Sequence, residues 1–470
     1  MTKATKLVIG ASIALASLTF PGCERDEEVS CEMFGAACVG APGGELCGDD
    51  YCTEGANCSE VIEVENDADL QSAAGRAAAG SCIAVAPGDY GAVSLAGGVS
   101  LLGKGADAVR IRQLSYSGGS GSLVRGVEVQ NGVTIDGTTG VQLDSIRVVG
   151  GSIGVDAKNG ASIALAHTTI SGTALYGIFA DGSSVAMSQT IVQDTQGAGV
   201  WTQCAGDGGC ACTDKPSLEI NDSLVRRTKL VGVSVRGTRT SMHHVDIREI
   251  RDFNFSTQGG GFAASQCSEL DLTGIHIENT DAFGVLISRS SGKLGGGLDE
   301  FGIIIVNSRV GCWLDAVGAD GLQPLEVNGL DVDSVHGVGL GLGLESKGII
   351  IVNSKIANTK LKTLPVMGGG SEDVGDALVW NEGVQADVQG ITISSTARHP
   401  VLLDGNVGVG SKLTSLTLAG GDESKGILQQ RAVVPGDAIV PEVDNGTSIT
   451  QAPDIVAGVP VAPSVPPAAE

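Results

Sequence analysis

Four residues near the middle of the chain have the types that acid–base chemistry on a sugar needs: Asp246, Arg248, His276 and Glu278. A carboxylate can orient an imidazole, the imidazole can serve as base, and a guanidinium can clamp an anionic substrate. They flank Ile247 and Ile277, in segments where apolar and polar residues alternate. Alternate residues of an extended strand share a face. With Val225, Ile247 and Ile277 taken as inward, Arg226, Arg248 and Glu278 fall in one outward row, and Asp246 lies beside His276 in the next. The same rows also read as a surface ion-pair ladder, worth little energetically. A second candidate set is aromatic: Phe179, Trp201 and Trp313 fall on one outward row, where sugar rings could stack, unless the cysteine hairpin from Gln203 folds back over Trp201. His243 and His244 are adjacent, so on a strand they face opposite sides and cannot hold one metal together. Gly295-Gly-Gly and Gly368-Gly-Gly lack the Lys-Ser/Thr of a phosphate loop and read as turns.

These positions inherit their meaning from a repeat that returns about once every 22 to 28 residues: glycine, apolar, variable, apolar or small. It reads Gly154-Val-Asp-Ala, Gly177-Ile-Phe-Ala, Gly199-Val-Trp-Thr, Gly232-Val-Ser-Val, Gly261-Phe-Ala-Ala, Gly284-Val-Leu-Ile, Gly311-Cys-Trp-Leu and Gly339-Leu-Gly-Leu. A unit this short, rich in β-branched residues, is one coil of a solenoid stacked on its sequence neighbours. The chain has 470 residues, more than one compact core accommodates, which also favours an elongated repeat. Between about residues 83 and 434 each glycine-led strand is followed by a second strand and a polar turn, giving ~13 coils and a rod of ~60 Å. Asn279, Asn307 and Asn353 fall at similar turn positions and could hydrogen-bond from coil to coil. Residues 66–79 are rich in alanine and predict a helix, capped by Asp67 or Asp69, over the open end of the solenoid. From Pro435 onward six further prolines predict an extended, mobile tail.

This pattern resembles the right-handed parallel β-helix of the pectate-lyase-like superfamily, over roughly residues 60–434. The resemblance implies an all-β solenoid with an N-terminal capping helix. It also implies enzymes that act on acidic polysaccharides, with calcium on aspartates and a basic residue, or with paired aspartates. None of those sequence signatures is present, so the resemblance carries fold and leaves activity open.

The N-terminus has Lys3 and Lys6, an apolar stretch from Leu7 to Leu18, then Phe20-Pro-Gly-Cys23 before a charged run. A basic region, a short apolar region and a small residue at the cleavage site predict a secretory signal, and the stretch is too short to span a bilayer. It resembles the lipobox of bacterial lipoproteins, with Pro21 departing from the pattern. The resemblance implies that Cys23 becomes the acylated first residue, and Glu24 implies an outer-membrane destination. Secretion or a periplasmic location is the alternative. Expected divisions are residues 1–22, signal; 23–60, tether and cysteine-rich segment; 61–434, β-helix; 435–470, tail.

In an exported chain disulfides are expected. Cys31, Cys38, Cys47, Cys52, Cys58 and Cys82 form an even early set where few large apolar residues could build a core. Cys204, Cys210 and Cys212 lie in an insertion that reads as a stapled hairpin, with Cys267 a further candidate partner. Cys312 takes the first apolar position of its repeat and reads as a buried reduced thiol. The net charge of −25 argues against nucleic acid as a partner. Acidity also allows weak Ca²⁺ binding, but no run has EF-hand spacing, and no cofactor or metal is expected. Two functions are compatible with these features. One is a non-enzymatic surface lipoprotein, a rod binding glycan or an envelope protein and held to the membrane by its lipid. The other is a polysaccharide lyase or hydrolase using Asp246, Arg248, His276 and Glu278.

Overall fold

The computed structural model describes residues 56–205, 213–251, 259–296, 302–318, 321–431, 440–443, 448–452 and 454–463. The expectations for the signal segment, Cys23, the cysteines from Cys31 to Cys52, Cys210 and Cys212 lie outside these residues. The chain is a right-handed parallel β-helix. Each coil has three strand segments rather than two, which in the middle of the rod run together as the longer strands Ser217–Arg226, Arg239–Ile250, Glu269–Ser288 and Ile303–Asp315, and each segment pairs in parallel with its counterpart one coil away. In one coil Ser162–Ala166 lies in the first stack, Thr169–Ser171 in the second and Tyr176–Asp181 in the third. The next coil places Ser184–Ser188, Ile191–Gln193 and Ala198–Gln203 directly upon them.

The corners mark where one segment of a coil passes into the next. Between the second and third stacks one residue in left-handed conformation turns the chain: Asp194, Arg227, Glu249, Asn279, Asn307, Ser334, Asn358 and Ser395, with φ between 53° and 58°. Because Asn and Asp tolerate this region best, several corners carry them. Asn307 Nδ2 donates to Asn279 Oδ1 at 2.5 Å, the expected stacked amides. Asn353 belongs to a different corner, between the first and second stacks, where it donates to Asn328 Oδ1 at 3.3 Å.

The glycine of the repeat has a steric cause. A Cβ on Gly232 would lie 2.4 Å from Ile247 Cγ2 and 2.7 Å from the carbonyl of Gly261. One on Gly261 would meet Ile277 Cγ2 at 2.5 Å, and one on Gly284 would meet Ile305 Cγ2 at 2.4 Å. The inward β-branched side chain of the second stack therefore fills the space where a third-stack side chain would start. Inside, Val, Ile and Leu form one continuous aliphatic core from Ile62 to Ile427.

The helix spans Asp67–Arg76, shorter than expected, and its cap is Asn66, whose side chain accepts from the Asp69 N–H. Asp67 has another task. Its Oδ1 accepts from Gly91 N at 2.7 Å, and Gln71 Nε2 donates to Ala92 O at 2.9 Å. Among the described residues the strand Gly88–Ala96 has no strand below it, so helix side chains satisfy backbone groups that a preceding coil would otherwise pair. Cys58 is bonded to Cys82, tying the lead-in to the first stack. Cys204 and Cys267 are both disulfide-bonded. Cys312 is free and fully buried, and burial pushes its thiol up to about 12.

The C-terminal part departs from expectation. Beyond residue 434 the stacks continue: Glu442–Val443 pairs with Lys412–Thr414, and Ile449–Gln451 with Ile427–Gln430. An antiparallel hairpin, Lys362–Pro365 with Ser371–Val374, projects between two coils, and Gly368-Gly-Gly is its turn. The segment 454–463, expected to be mobile, returns along the rod and bridges Val366 through Pro460. Proline withholds a donor only at its own position. The neighbouring residues still pair, with Val461 N donating to Pro365 O at 2.9 Å and Met367 N to Val459 O at 2.8 Å.

Candidate functional site: an arginine-rich corner

The second stack sets the four residues singled out in the sequence on an outward face. Strand register puts Asp246 opposite His276 and Arg248 opposite Glu278, one coil apart. Arg226 lies opposite Arg248 on the other side, and Gln193 opposite Arg226. The column therefore reads Gln193, Arg226, Arg248, Glu278, with two guanidinium groups on adjacent coils.

Asp246 is enclosed, its side chain 2% exposed. Arg248 Nη2 lies 2.9 Å from its Oδ2 and His276 Nδ1 3.3 Å from its Oδ1. When Nδ1 donates to the carboxylate, the outer ring nitrogen of His276 is left as the acceptor. Glu278 does not pair with Arg248; its Oε1 accepts from Asn279 Nδ2 at 3.0 Å. Arg248 Nε is buried without a hydrogen-bond partner among the described residues. The four residues thus share a face, but they do not converge on a common point.

The basic character extends to residues that the alternation argument overlooked. Arg227 grips Asp194 with Nε at 2.7 Å and Nη2 at 2.9 Å. That contact holds the Asp194 carboxyl below the usual range. Arg226 donates through Nε to Gln193 Oε1 at 3.0 Å and makes no ion pair with a described residue. Burial lowers its pKa, and the charges of Arg227 and Arg248 lower it further. Beside them an open depression of about 400 Å³ is lined by Asp194, Gln196, Arg227, Thr228, Lys229, Glu249 and Arg251. The signal for it in the sequence was the run Arg226-Arg-Thr-Lys229, three bases in four residues of an acidic chain.

Asp246 belongs to a recurring arrangement. Asp144 is held by Arg125 at 2.9 Å and by His167 Nδ1 at 3.0 Å. Burial raises the Asp144 pKa, but its hydrogen bonds from His167, Arg125 and Ser145 outweigh that and lower it. Asp376 is fully buried and gripped by Arg398, and Asp404 is held by Arg431 at 2.8 Å. Each links residues on the outside of the coil, as expected for clamps rather than for one catalytic centre.

The aromatic row also forms as the repeat requires: Asp156, Phe179, Trp201, Ser234, Ala263, Leu286, Trp313, Gly341 stack in register. It presents no open platform. Phe179 is 9% exposed, Trp201 0% and Trp313 1%. Tyr176 stacks on Phe179 with ring centroids 5.2 Å apart, Trp201 Nε1 donates to Gln203 Oε1, and the Trp313 ring occupies the space beside Gly341. These rings form a second apolar cluster outside the coil. Among the described residues no group of three or more His, Cys, Asp or Glu side chains could hold a metal, and no helix is long and apolar enough to cross a membrane.

No protein-family model matches the sequence, and no curated protein matches it. Several solved structures are similar. One is the catalytic unit of a GH87 α-1,3-glucanase from Streptomyces thermodiastaticus, 12% identical, covering 85% of this chain and 68% of that one at a TM-score of 0.31. Another is a mannuronic acid specific polysaccharide family 6 lyase from human gut microbiota, 8% identical, covering 79% and 86% at 0.33. A third is the A-module of a mannuronan C-5 epimerase from Azotobacter vinelandii, 11% identical, covering 88% and 99% at 0.30. At this identity none of their chemistry transfers to the present chain.

Proposed function

We propose that this chain is a non-enzymatic binding rod, exported and anchored to the outer membrane by a lipid on Cys23, whose arginine-rich corner takes an anionic polysaccharide. The observation that carries the reading is the pair Arg226 and Arg248. Two guanidinium groups lie on adjacent coils, and Arg226 has no described carboxylate opposite it. An anionic polymer running along the rod would relieve that repulsion, and guanidinium suits carboxylate or sulfate better than a lysine ammonium does. Asp246 is already committed to Arg248 and His276, which removes it as a free base. No cofactor enters this reading. The test is retention on an immobilised uronic-acid polymer, with a neutral dextran as control. Arg226→Gln combined with Arg251→Gln is expected to weaken binding at least about tenfold, and wild-type binding is expected to fall with added salt. Unchanged retention in the double variant would sink the proposal.

One observation favours a second reading, a polysaccharide lyase or hydrolase. Asp246 orients His276 through Nδ1, the arrangement that readies an imidazole as base. Incubation with a panel of uronic-acid polymers and Ca²⁺ separates the two. New absorbance from unsaturated ends, or new reducing ends, abolished by His276→Gln, would establish catalysis.

A further inference from the structure

The segment 454–463 is held as a peptide is held in a receptor, by side chains directed at its backbone. Gln430, fully buried, accepts from Val456 N at 3.1 Å and Ala457 N at 2.9 Å through Oε1, and donates to Ala457 O at 2.8 Å through Nε2. Arg398 Nη2 donates to Gly458 O at 2.7 Å, and Glu372 Oε2 accepts from Gly458 N at 2.7 Å. The hairpin adds the pairing of Val366 with Pro460. Ala457 and Val459 sink into a groove walled by Leu364, Val366 and Val374 of the hairpin and by Val379 and Leu402 of the third stack. At Gly458 the groove is tight: a Cβ there would lie 2.5 Å from Glu372 Oε2 and 2.7 Å from Val366 Cγ1, so a side chain would displace both and break the bond from Gly458 N to Glu372.

We propose that the hairpin and the last coils form a peptide-binding groove, occupied in cis by the chain's own residues 455–461. Its ligand class is an extended apolar peptide with glycine between two small apolar residues, as in Ala457-Gly-Val-Pro460. Backbone bonds from Gln430, Arg398 and Glu372 supply affinity that is blind to side-chain identity, and the closed space at Gly458 supplies selection. The tail gains from being tethered, because a short linker gives it an effective concentration in the millimolar range. This inference is independent of the arginine corner.

The test uses full-length chain and a fluorescent peptide of residues 454–463, followed by anisotropy. Gly458→Val lies outside the coils and expels the tail, so this variant is expected to bind the peptide. The wild-type chain is expected to bind it at least about 100-fold more weakly, because its own tail competes. A peptide with valine at position 458 is expected to bind neither. Val459→Asp, also confined to the tail, should free the groove in the same way. Equal binding to wild type and both variants, or no binding to either variant, would overturn the proposal.

Discussion

At the scale of single residues the recurrent element is a carboxylate taken out of water and matched by a guanidinium. Asp246, Asp376 and Asp404 are all at or below 3% exposure, and each meets an arginine. A buried pair of this kind adds little net stability, yet removing one partner is costly because the other charge stays behind. Asp246→Ala is therefore expected to cost about 2–4 kcal/mol, with the quarter-exposed Arg248 side chain keeping the loss from being larger. His276→Gln retains a donor toward Asp246 and is expected to cost under about 1 kcal/mol. Denaturant midpoints of the two variants check both figures, and equal losses would contradict the assignment of Asp246 as the clamp. The neighbours of these residues were legible in the sequence, because the period of two fixes which side chains share a face once the inward residue is known. What could not be read was their partner choice. Arg248 faces both Asp246 and Glu278, and the enclosed carboxylate beside it wins over the half-buried one across the coil, which Asn279 engages.

At the scale of elements, glycine appears in two physical roles that composition alone merges. Gly232 is excluded from bearing a side chain by Ile247, so Gly232→Ala is expected to cost about 1–3 kcal/mol through overpacking. Gly75, in the helix, has open space where a methyl group would sit, with nothing within 4 Å, and Gly75→Ala is expected to gain about 0.5–1 kcal/mol by restricting the unfolded chain. Opposite signs in paired unfolding curves are the check. The repeat announced the coil but concealed its third strand, since first-stack strands such as Ser162–Ala166 run into the second stack after only two residues, His167 in left-handed conformation and Thr168. The helix was visible through its alanines, whereas its cap was misassigned because Asp67 is drawn away to Gly91. The packing of the tail left no local trace. Its prolines argue against a regular ladder, and the groove that receives it draws on residues far back in the chain, from Gln430, 26 positions before Val456, to Glu372, 86 positions before Gly458.

For the molecule as a whole, the charge of −25 and the paired carboxylates together set its response to acid. Asp194 and Glu269 are held below their ordinary values by hydrogen bonds from Arg227 and Lys215, and Asp144 by bonds that outweigh its burial. A carboxyl depressed in the folded state contributes stability above its unfolded pKa. That contribution is lost as pH falls through the folded value. The contribution of these carboxyls is thus expected to be constant near neutrality and to be lost progressively below about pH 4. Far-ultraviolet circular dichroism at fixed denaturant across that range is the measurement; His336 and His399, whose pKa values burial lowers, add a smaller loss as they charge near pH 6, and no further loss below about pH 4 would show that the carboxyls do not govern the response.

The way the rod begins has one further consequence. Among the described residues its opening strand exposes Glu60 and Glu63, and Asp67 and Gln71 occupy the backbone groups above the helix. Fibre growth by end-to-end addition needs a bare leading rim on every incoming copy, and here that rim is part stoppered and part negatively charged. Molecules crowded side by side should therefore stay discrete instead of templating one another into filaments.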